Sequence, residues 1–214
     1  MDLYLFDFDK TLYAYDSSKR LPAQARLGSV SQYHLAKTWW AAGFEREAES
    51  GRWPTANEYL DEFARVTGAR LTLDQWIEAR RAASTPLPGM IDQLRHAATL
   101  GTVSLLSNNP SPFGEALPIM APDVADVLGD NVLVSYRLGV RKPSPEIYRL
   151  ALDAYGADAR DTFFVDDSLS NVEAAASIGI TTHHFTGDRH NAVSLTQAIA
   201  AVGEAIDRFS SRKS

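Results

Sequence analysis

The sequence predicts an α/β protein: a doubly wound parallel sheet with an all-helical domain inserted near its N-terminus. Three observations predict this class. Short apolar runs recur along the chain, segments of helical periodicity lie between them, and one long stretch shows the helical pattern alone. Buried parallel strands form continuous apolar runs because helices cover both faces of the sheet. Strands alternating with helices therefore indicate a parallel α/β fold.

The apolar runs are the predicted strands. The first is Leu3-Tyr4-Leu5-Phe6, which ends at Asp7. Comparable runs follow at residues 103–106, 132–134, 162–165 and 181–185. Their shortness favours strands, because helices in globular proteins generally need about 10 residues or more.

The predicted helices lie between these runs. Residues 90–100 carry apolar side chains at spacings of three and four, as one buried helix face requires. Ser144 and Pro145 match an N-cap followed by proline at the first helical position. Residues 169–178 precede Gly179, a typical residue just after a helix end.

Residues 15–86 are predicted to form the helical domain, and residues 1–14 and 87–214 the α/β core domain. Two capping boxes, at residues 55–58 and 72–75, mark helix starts inside this stretch. The sequence places all of its tryptophans there, and we expect them to form a small core rather than a stacking platform: Trp39, Trp40, Trp53 and Trp76.

Composition excludes several classes of function. The net charge of −6 disfavours nucleic acid and anionic membranes as partners, and an acidic substrate would need local cations. The absence of cysteine excludes disulfides, thiolate metal sites and a cysteine nucleophile. No apolar run approaches the ~18 residues that span a bilayer, and the first residues lack a signal-peptide pattern. A cytoplasmic protein is expected.

The segment Asp7-Phe8-Asp9-Lys10-Thr11 follows the first predicted strand directly. Ligands of parallel α/β sheets bind beyond the carboxyl ends of the strands, which is where Asp7 is predicted to lie. In extended chain Asp7 and Asp9 can point the same way, and at ~4 Å in water they repel by about 1 kcal/mol. Such a pair needs a cation or a shared proton. Taken alone, the pattern also fits a strand followed by a polar turn.

Three further polar segments lie at the carboxyl end of a predicted strand or in the loop after one, so all can converge on one cleft. They are Ser107-Asn108, Lys142, and Asp166-Asp167 with Asn171. In this order the four segments resemble the four motifs of the haloacid dehalogenase (HAD)-like hydrolase superfamily, in its phosphatase branch. The resemblance implies a Rossmannoid core, and the helical domain occupies the place of the cap between motifs one and two.

The resemblance also implies catalytic roles. Asp7 is expected to be the nucleophile that forms an aspartyl-phosphate, and Asp9 to protonate the leaving oxygen and then activate water. Thr11 is expected to orient Asp9 by a hydrogen bond. The phosphoryl oxygens are expected to be held by Ser107, Asn108 and Lys142, with backbone N–H groups after Ser107 assisting.

The cofactor implied is magnesium, Mg²⁺, because the ligand set consists of hard oxygen atoms. The expected ligands are the carboxylates of Asp7 and Asp166 and the backbone carbonyl of Asp9. Asp167 is expected to bind the metal directly or through water, and Asn171 to support this acidic pair.

The function expected is a magnesium-dependent phosphatase for small phosphate monoesters, of the sugar phosphate or nucleoside monophosphate class. Its partner is then a small phosphorylated metabolite, and no pattern in the sequence sets an oligomeric state. The alternatives are a sugar phosphomutase of the same fold and a non-catalytic module that binds phosphorylated metabolites. Asp9 counts against dehalogenation, because a halide leaves without a proton. Arg141 is expected to pair with a surface carboxylate.

Overall fold

The computed structural model describes residues 2–188 and 191–212, and it contains the predicted parallel sheet. Its strands are β1 (Leu3–Phe6), β2 (Tyr13–Tyr15), β3 (Ser84–Pro86), β4 (Thr102–Ser107), β5 (Val132–Val134), β6 (Thr162–Asp166) and β7 (Thr181–His184). Five of them form one sheet in the order β5-β4-β1-β6-β7, and every neighbouring pair is parallel. The central position of β1 places the residue that follows it in the middle of the carboxyl edge.

Helices cover both faces of this sheet. They are α1 (Ser17–Leu27), α2 (Gln32–Leu35), α3 (Phe44–Glu49), α4 (Ala56–Thr67), α5 (Leu73–Ala83), α6 (Pro88–Leu100), α7 (Ser111–Met120), α8 (Pro122–Leu128), α9 (Ser135–Leu138), α10 (Pro145–Tyr155), α11 (Leu169–Ala176) and α12 (Ala192–Ser211). A π-helical turn, Ala36–Trp40, follows α2, and a 3₁₀ turn, Ala159–Asp161, precedes β6. No helix within the described residues is long and apolar enough to cross a membrane.

The alternation of side chains along β1 explains the two helical layers. Tyr4 and Phe6 point to one face and join the apolar cluster that contains residues of α6 and α12. Leu3 and Leu5 point to the other face and join a second cluster, with residues of α10 and α11. Both faces of β1 are therefore buried, and the predicted doubly wound α/β class is confirmed.

Residues 16–83, here called the helical segment, lie between β2 and β3. These two strands pair antiparallel, with Tyr13 opposite Pro86 and Tyr15 opposite Ser84, so the chain leaves and re-enters the sheet region through one short ribbon. The sequence did not predict this ribbon. Both predicted capping boxes are present, at the starts of α4 and α5.

Aromatic side chains form the core of the helical segment. The ring of Trp39 packs against those of Phe44, Trp53, Tyr59 and Phe63, with centroids 4.9–5.8 Å apart. Trp39 and Trp76 are completely buried, as the core interpretation requires. Trp40 differs, because it lines the cavity described below.

Candidate active site

The predicted site residues meet at the carboxyl edge of the sheet. Asp7 directly follows β1, while Ser107 ends β4 and Asp166 ends β6, the two neighbours of β1. A cavity of about 520 Å³ opens at this edge. Seven predicted residues line it: Asp7, Asp9, Ser107, Asn108, Lys142, Asp167 and Asn171. Asp166 is completely buried, and its carboxylate contacts Lys142.

Lys142 links the two deepest carboxylates. Its Nζ donates to Asp7 Oδ1 at 2.7 Å, to Asp166 Oδ2 at 2.6 Å and to the carbonyl oxygen of Leu106 at 2.7 Å. The Asn108 side chain fixes the main chain of Lys142, because its Oδ1 accepts from the Lys142 N–H and its Nδ2 donates to the Lys142 carbonyl. Asn108 thereby places the lysine.

The charges of this cluster are strongly coupled. Burial alone would lower the pKa of Lys142, but the carboxylates of Asp166 and Asp7 outweigh it and raise that pKa. Burial raises the pKa of Asp7 to about 8; Lys142 opposes this rise and Asp166 adds to it. Burial and the neighbouring Asp166 also raise the pKa of Asp167. The raised pKa values of Asp7 and Asp167 mean that the single positive charge of Lys142 does not fully offset the burial and mutual repulsion of these carboxylates.

The donor atoms of this cluster fit a divalent cation. One carboxylate oxygen each of Asp7, Asp166 and Asp167 lie within 4.8 Å of one another. Asn171 Nδ2 donates to both oxygens of Asp166 at 3.0 Å, and the backbone N–H of Ser168 donates to Asp166 Oδ1 at 2.7 Å. Hard oxygen atoms held in this way are the ligands that Mg²⁺ prefers.

Asp9 is held by two residues that the sequence analysis did not assign. Arg80 Nη2, from α5, lies 2.9 Å from Asp9 Oδ1 and 3.0 Å from Oδ2. Asn109 Nδ2 donates to Asp9 Oδ2 at 3.1 Å and to Ser107 Oγ at 3.0 Å. The carboxylate of Asp9 is therefore fixed from the helical segment on one side and from the sheet on the other.

The hydrogen bond predicted from Thr11 to Asp9 is absent. The Thr11 side chain is completely buried, and its Oγ1 has no hydrogen-bond partner. The chain turns between the two residues, since Lys10 adopts a left-handed conformation with φ of 65°. The role that the resemblance implied for Thr11 is therefore not seen in this structure.

Arg80 could have been found from its position in α5. Trp76, Arg80 and Ala83 recur at helical spacing, and all three are buried. An arginine on the apolar face of an amphipathic helix needs an anionic partner, because a buried charge is costly when unpaired. Its partner, Asp9, lies far away in the sequence, so the pairing itself could not be predicted from the sequence.

The rest of the cavity lining carries charged and aromatic side chains. Arg141 Nε donates to Glu49 Oε2 at 2.8 Å, so the expected carboxylate pairing of Arg141 is present, although at the cavity wall rather than on the outer surface. Burial raises the pKa of Glu49 to about 7, Glu45 adds to the rise, and Arg141 opposes it. Lys10 Nζ lies 3.8 Å from Asp167. The remaining wall residues include Arg20, Trp40, Glu45 and Arg46.

A parallel α/β sheet whose carboxyl edge gathers aspartates, a serine and a buried lysine defines a class of enzymes built to hold anionic groups. The family model described as haloacid dehalogenase-like hydrolase matches residues 1–179, and the chain belongs to this family. The family and the hydrolase class predicted from the four motif segments are thereby confirmed.

Several known proteins are similar to the chain. The D-ribitol-5-phosphate phosphatase of Bacteroides thetaiotaomicron is 26% identical over 183 residues, covering 83% of this chain and 88% of that protein. The glyceraldehyde 3-phosphate phosphatase of Pyrococcus abyssi is 29% identical over 100 residues, 46% and 42% of the two chains. A crystal structure of a HAD family enzyme from B. thetaiotaomicron, in complex with magnesium and inorganic phosphate, is also similar, with a TM-score of 0.73 and 22% sequence identity. The similarity covers 87% of this chain and 94% of that one.

Proposed function

We propose that this protein is a magnesium-dependent phosphatase that hydrolyses small phosphate monoesters, of the sugar phosphate or nucleoside monophosphate class. The observation that carries the proposal is that Asp7 and Asp9 are bonded to different sets of residues. Asp7 lies in the acidic cluster with Lys142, and Asp9 is held apart from that cluster by Arg80 and Asn109. The two similar phosphatases act, by their names, on small phosphorylated metabolites.

The proposed reaction has two steps, and the two aspartates divide the labour. A carboxylate oxygen of Asp7 attacks phosphorus, the ester P–O bond breaks, and the leaving oxygen takes a proton from Asp9. Asp9 then removes a proton from water, whose oxygen attacks phosphorus and releases inorganic phosphate and free Asp7. The Ser107 hydroxyl and the Asn108 N–H are the donors proposed to hold the phosphoryl oxygens, and the Lys142 ammonium is proposed to attract them by its charge and to exchange one of its three present hydrogen bonds for them.

Magnesium would be held by the carboxylates of Asp7, Asp166 and Asp167 and by the backbone carbonyl of Asp9. When bound, it supplies positive charge that neutralises the phosphoryl oxygens and the acidic cluster. Asn171 would support this site by fixing both oxygens of Asp166.

The cavity lining outside the acidic cluster supports a hydroxyl-rich leaving group. Arg141 offers hydrogen-bond donors and Glu49 offers acceptors in this lining, and Trp40 contributes an aromatic surface. Sugar hydroxyls both donate and accept, so they match such a mixed lining. The predicted division of the chain forms part of this proposal: residues 1–14 and 87–214 carry the chemistry, and residues 15–86 act as a cap that contacts the leaving group.

Trapping of the phosphoenzyme tests the proposal. Asp7→Asn should abolish turnover and form no covalent intermediate. Asp9→Asn should accumulate the aspartyl-phosphate when an aryl phosphate is used, because a good leaving group departs without a proton while breakdown still needs Asp9. Rapid quenching and mass spectrometry should then find one phosphoryl group on the peptide that contains Asp7.

Asp61→Asn is the matched control, because Asp61 is exposed on α4. It should behave as the wild type does. Label on another residue, or wild-type turnover in Asp7→Asn, would show that the nucleophile is misassigned. Transfer of the label to a sugar instead of water would favour a phosphomutase, and binding without any phosphate release would favour a non-catalytic module.

A further inference from the structure

Arg80 is a buried cation in the middle of aromatic rings. Its side chain is 1% exposed, and its guanidinium carbon lies 4.8 Å from the ring centroid of Tyr15, 5.6 Å from Phe113 and 5.9 Å from Trp76. These rings belong to β2, α7 and α5, so the guanidinium lies where the helical segment, the ribbon and the sheet region meet. Ring faces attract a cation, but a buried charge also needs an anion.

Asp9 is the ion-pair partner of Arg80 within the described part of the chain. The contact uses Nη2, at 2.9 Å and 3.0 Å from the two oxygens of Asp9. Arg80 Nε is buried without a hydrogen-bond partner. Burial of a charged group with one donor unsatisfied is unfavourable, so packing of the helical segment does not by itself account for an arginine here.

Among the described residues of the helical segment, Arg80 alone makes a hydrogen bond to the Asp9 carboxylate. Asn109 reaches only Oδ2, and the hydroxyl of Thr11 makes no hydrogen bond. Without Arg80, the Asp9 carboxylate would keep one donor and could rotate about its side-chain bonds. A general acid must stay within about 2.6–3.2 Å of the atom it protonates, so this rotation would matter for proton transfer.

We propose that Arg80 is a positioning residue for the acid–base step: it reaches from the helical segment to hold Asp9 against the leaving group. The inference rests on the proposed function, since it assigns a role within that reaction. It also links two parts of the molecule, because Asp9 is placed for proton transfer only while α5 is packed against the sheet region.

The leaving group provides a readout that a merely structural role would not change. In the first step the leaving oxygen takes its proton from Asp9, which an alkyl phosphate needs and an aryl phosphate with a good leaving group does not. Arg80→Met should therefore lower kcat/KM for an alkyl phosphate about 10²-fold, and for 4-nitrophenyl phosphate less than about 10-fold. The ratio of the two effects is the quantity that tests the proposal.

Arg81→Met is the matched control. Arg81 is the next residue of α5, it is exposed, and its guanidinium donates to the carbonyl oxygen of Ile119 in α7. This variant removes a contact between the helical segment and the sheet region without touching Asp9. It should leave the ratio of alkyl to aryl kcat/KM at the wild-type value.

Two further variants test the same proposal if Arg80→Met does not fold. Arg80→Lys keeps the charge and should show the same preferential loss on the alkyl phosphate, to a smaller extent. In Arg80→Ala, guanidinium added far below denaturing concentration should restore alkyl phosphate turnover more than aryl phosphate turnover. Equal losses on both substrates across these variants, or a change confined to KM, would overturn the assignment. If the wild type releases no phosphate, the proposed function has failed, and that result is distinct from a uniform loss in Arg80 variants.

Discussion

Glu49 illustrates how a single side chain couples the cavity to pH. Burial raises its pKa to about 7 from a usual value of 4.5. The folded protein therefore keeps this proton at pH values where the unfolded chain has lost it. The stabilisation that results is complete below about pH 4.5 and is lost as pH rises through about 7.

We expect Glu49→Gln to remove this pH dependence. Between about pH 5 and about pH 8 the wild type should lose up to about 3 kcal/mol more unfolding free energy than the variant does. Urea unfolding at the two pH values measures the difference. The pKa of Asp7 is raised in both proteins, so its contribution to the pH dependence of the unfolding free energy cancels in the comparison. Glu47→Gln, exposed on the same helix, should follow the wild type. If the unfolding free energy of Glu49→Gln changed with pH as much as that of the wild type, the raised pKa of Glu49 would be contradicted.

Loss of the Asn171 side chain should weaken the proposed metal site, because it removes a residue that holds Asp166 but is not itself a proposed ligand. Its Nδ2 holds both oxygens of Asp166, and loss of such a supporting contact typically costs about 10–100-fold in metal affinity. Asn171→Ala should therefore raise the Mg²⁺ concentration for half-maximal phosphatase activity by that factor. Ser177→Ala, exposed just beyond the same helix, is the control. Activity that needs no metal after chelation would contradict the proposed cofactor.

The positions of individual residues could be predicted where residue type and strand position agree. Asp7, Ser107 and Asp166 each end or follow an apolar run, and the parallel sheet brings such positions together. Thr11 and Arg80 show where this reasoning stops. The hydrogen bond from Thr11 to Asp9 was expected from the family resemblance alone, and the left-handed turn at Lys10 lies between the two residues. The Arg80 contact depends on how α5 packs, which no local pattern encodes.

At the scale of elements, local hydrogen bonding explains what was predictable. A capping box satisfies backbone N–H groups within four consecutive residues, so the starts of α4 and α5 are visible in the sequence. The β2–β3 ribbon was missed because each strand has only three residues and its partner lies on the far side of the helical segment. The short strand Tyr13–Tyr15 also lacks an alternating pattern long enough to identify it.

The two capping boxes give a prediction at this scale. Thr55→Ala and Thr72→Ala should each lower the unfolding free energy by about 1 kcal/mol, because each removes the oxygen that accepts from the third helical N–H. Thr→Ser at either position keeps that oxygen and should lose much less. Urea unfolding of the four variants measures the effect. Stability unchanged in both alanine variants would show that these caps contribute nothing.

At the scale of the whole molecule, the helical segment is connected to the sheet region by the two strands of the ribbon and also by hydrogen bonds and apolar contacts. Ser111 Oγ donates to the carbonyl oxygens of Trp53 and Thr55, both at 2.8 Å, and the Ala56 N–H donates to Glu115 Oε1. The apolar contacts are also continuous. One buried cluster contains residues of the sheet region and of the helical segment together: Phe8, Leu12, Phe113, Trp39, Phe63 and Trp76.

Because this cluster is shared, we expect the helical segment and the sheet region to unfold together. Separation of the two would expose the apolar surface of Phe8, Phe113 and Trp76 to water, at about 25 cal/mol for each Å². All of the tryptophans lie in the helical segment, so their fluorescence reports on that segment alone. Hydrogen exchange of β1 and β6 reports on the sheet. The two signals should change at the same urea concentration, as a single cooperative transition requires. A tryptophan transition at lower urea, with β1 still protected, would show instead that the helical segment unfolds as an independent domain.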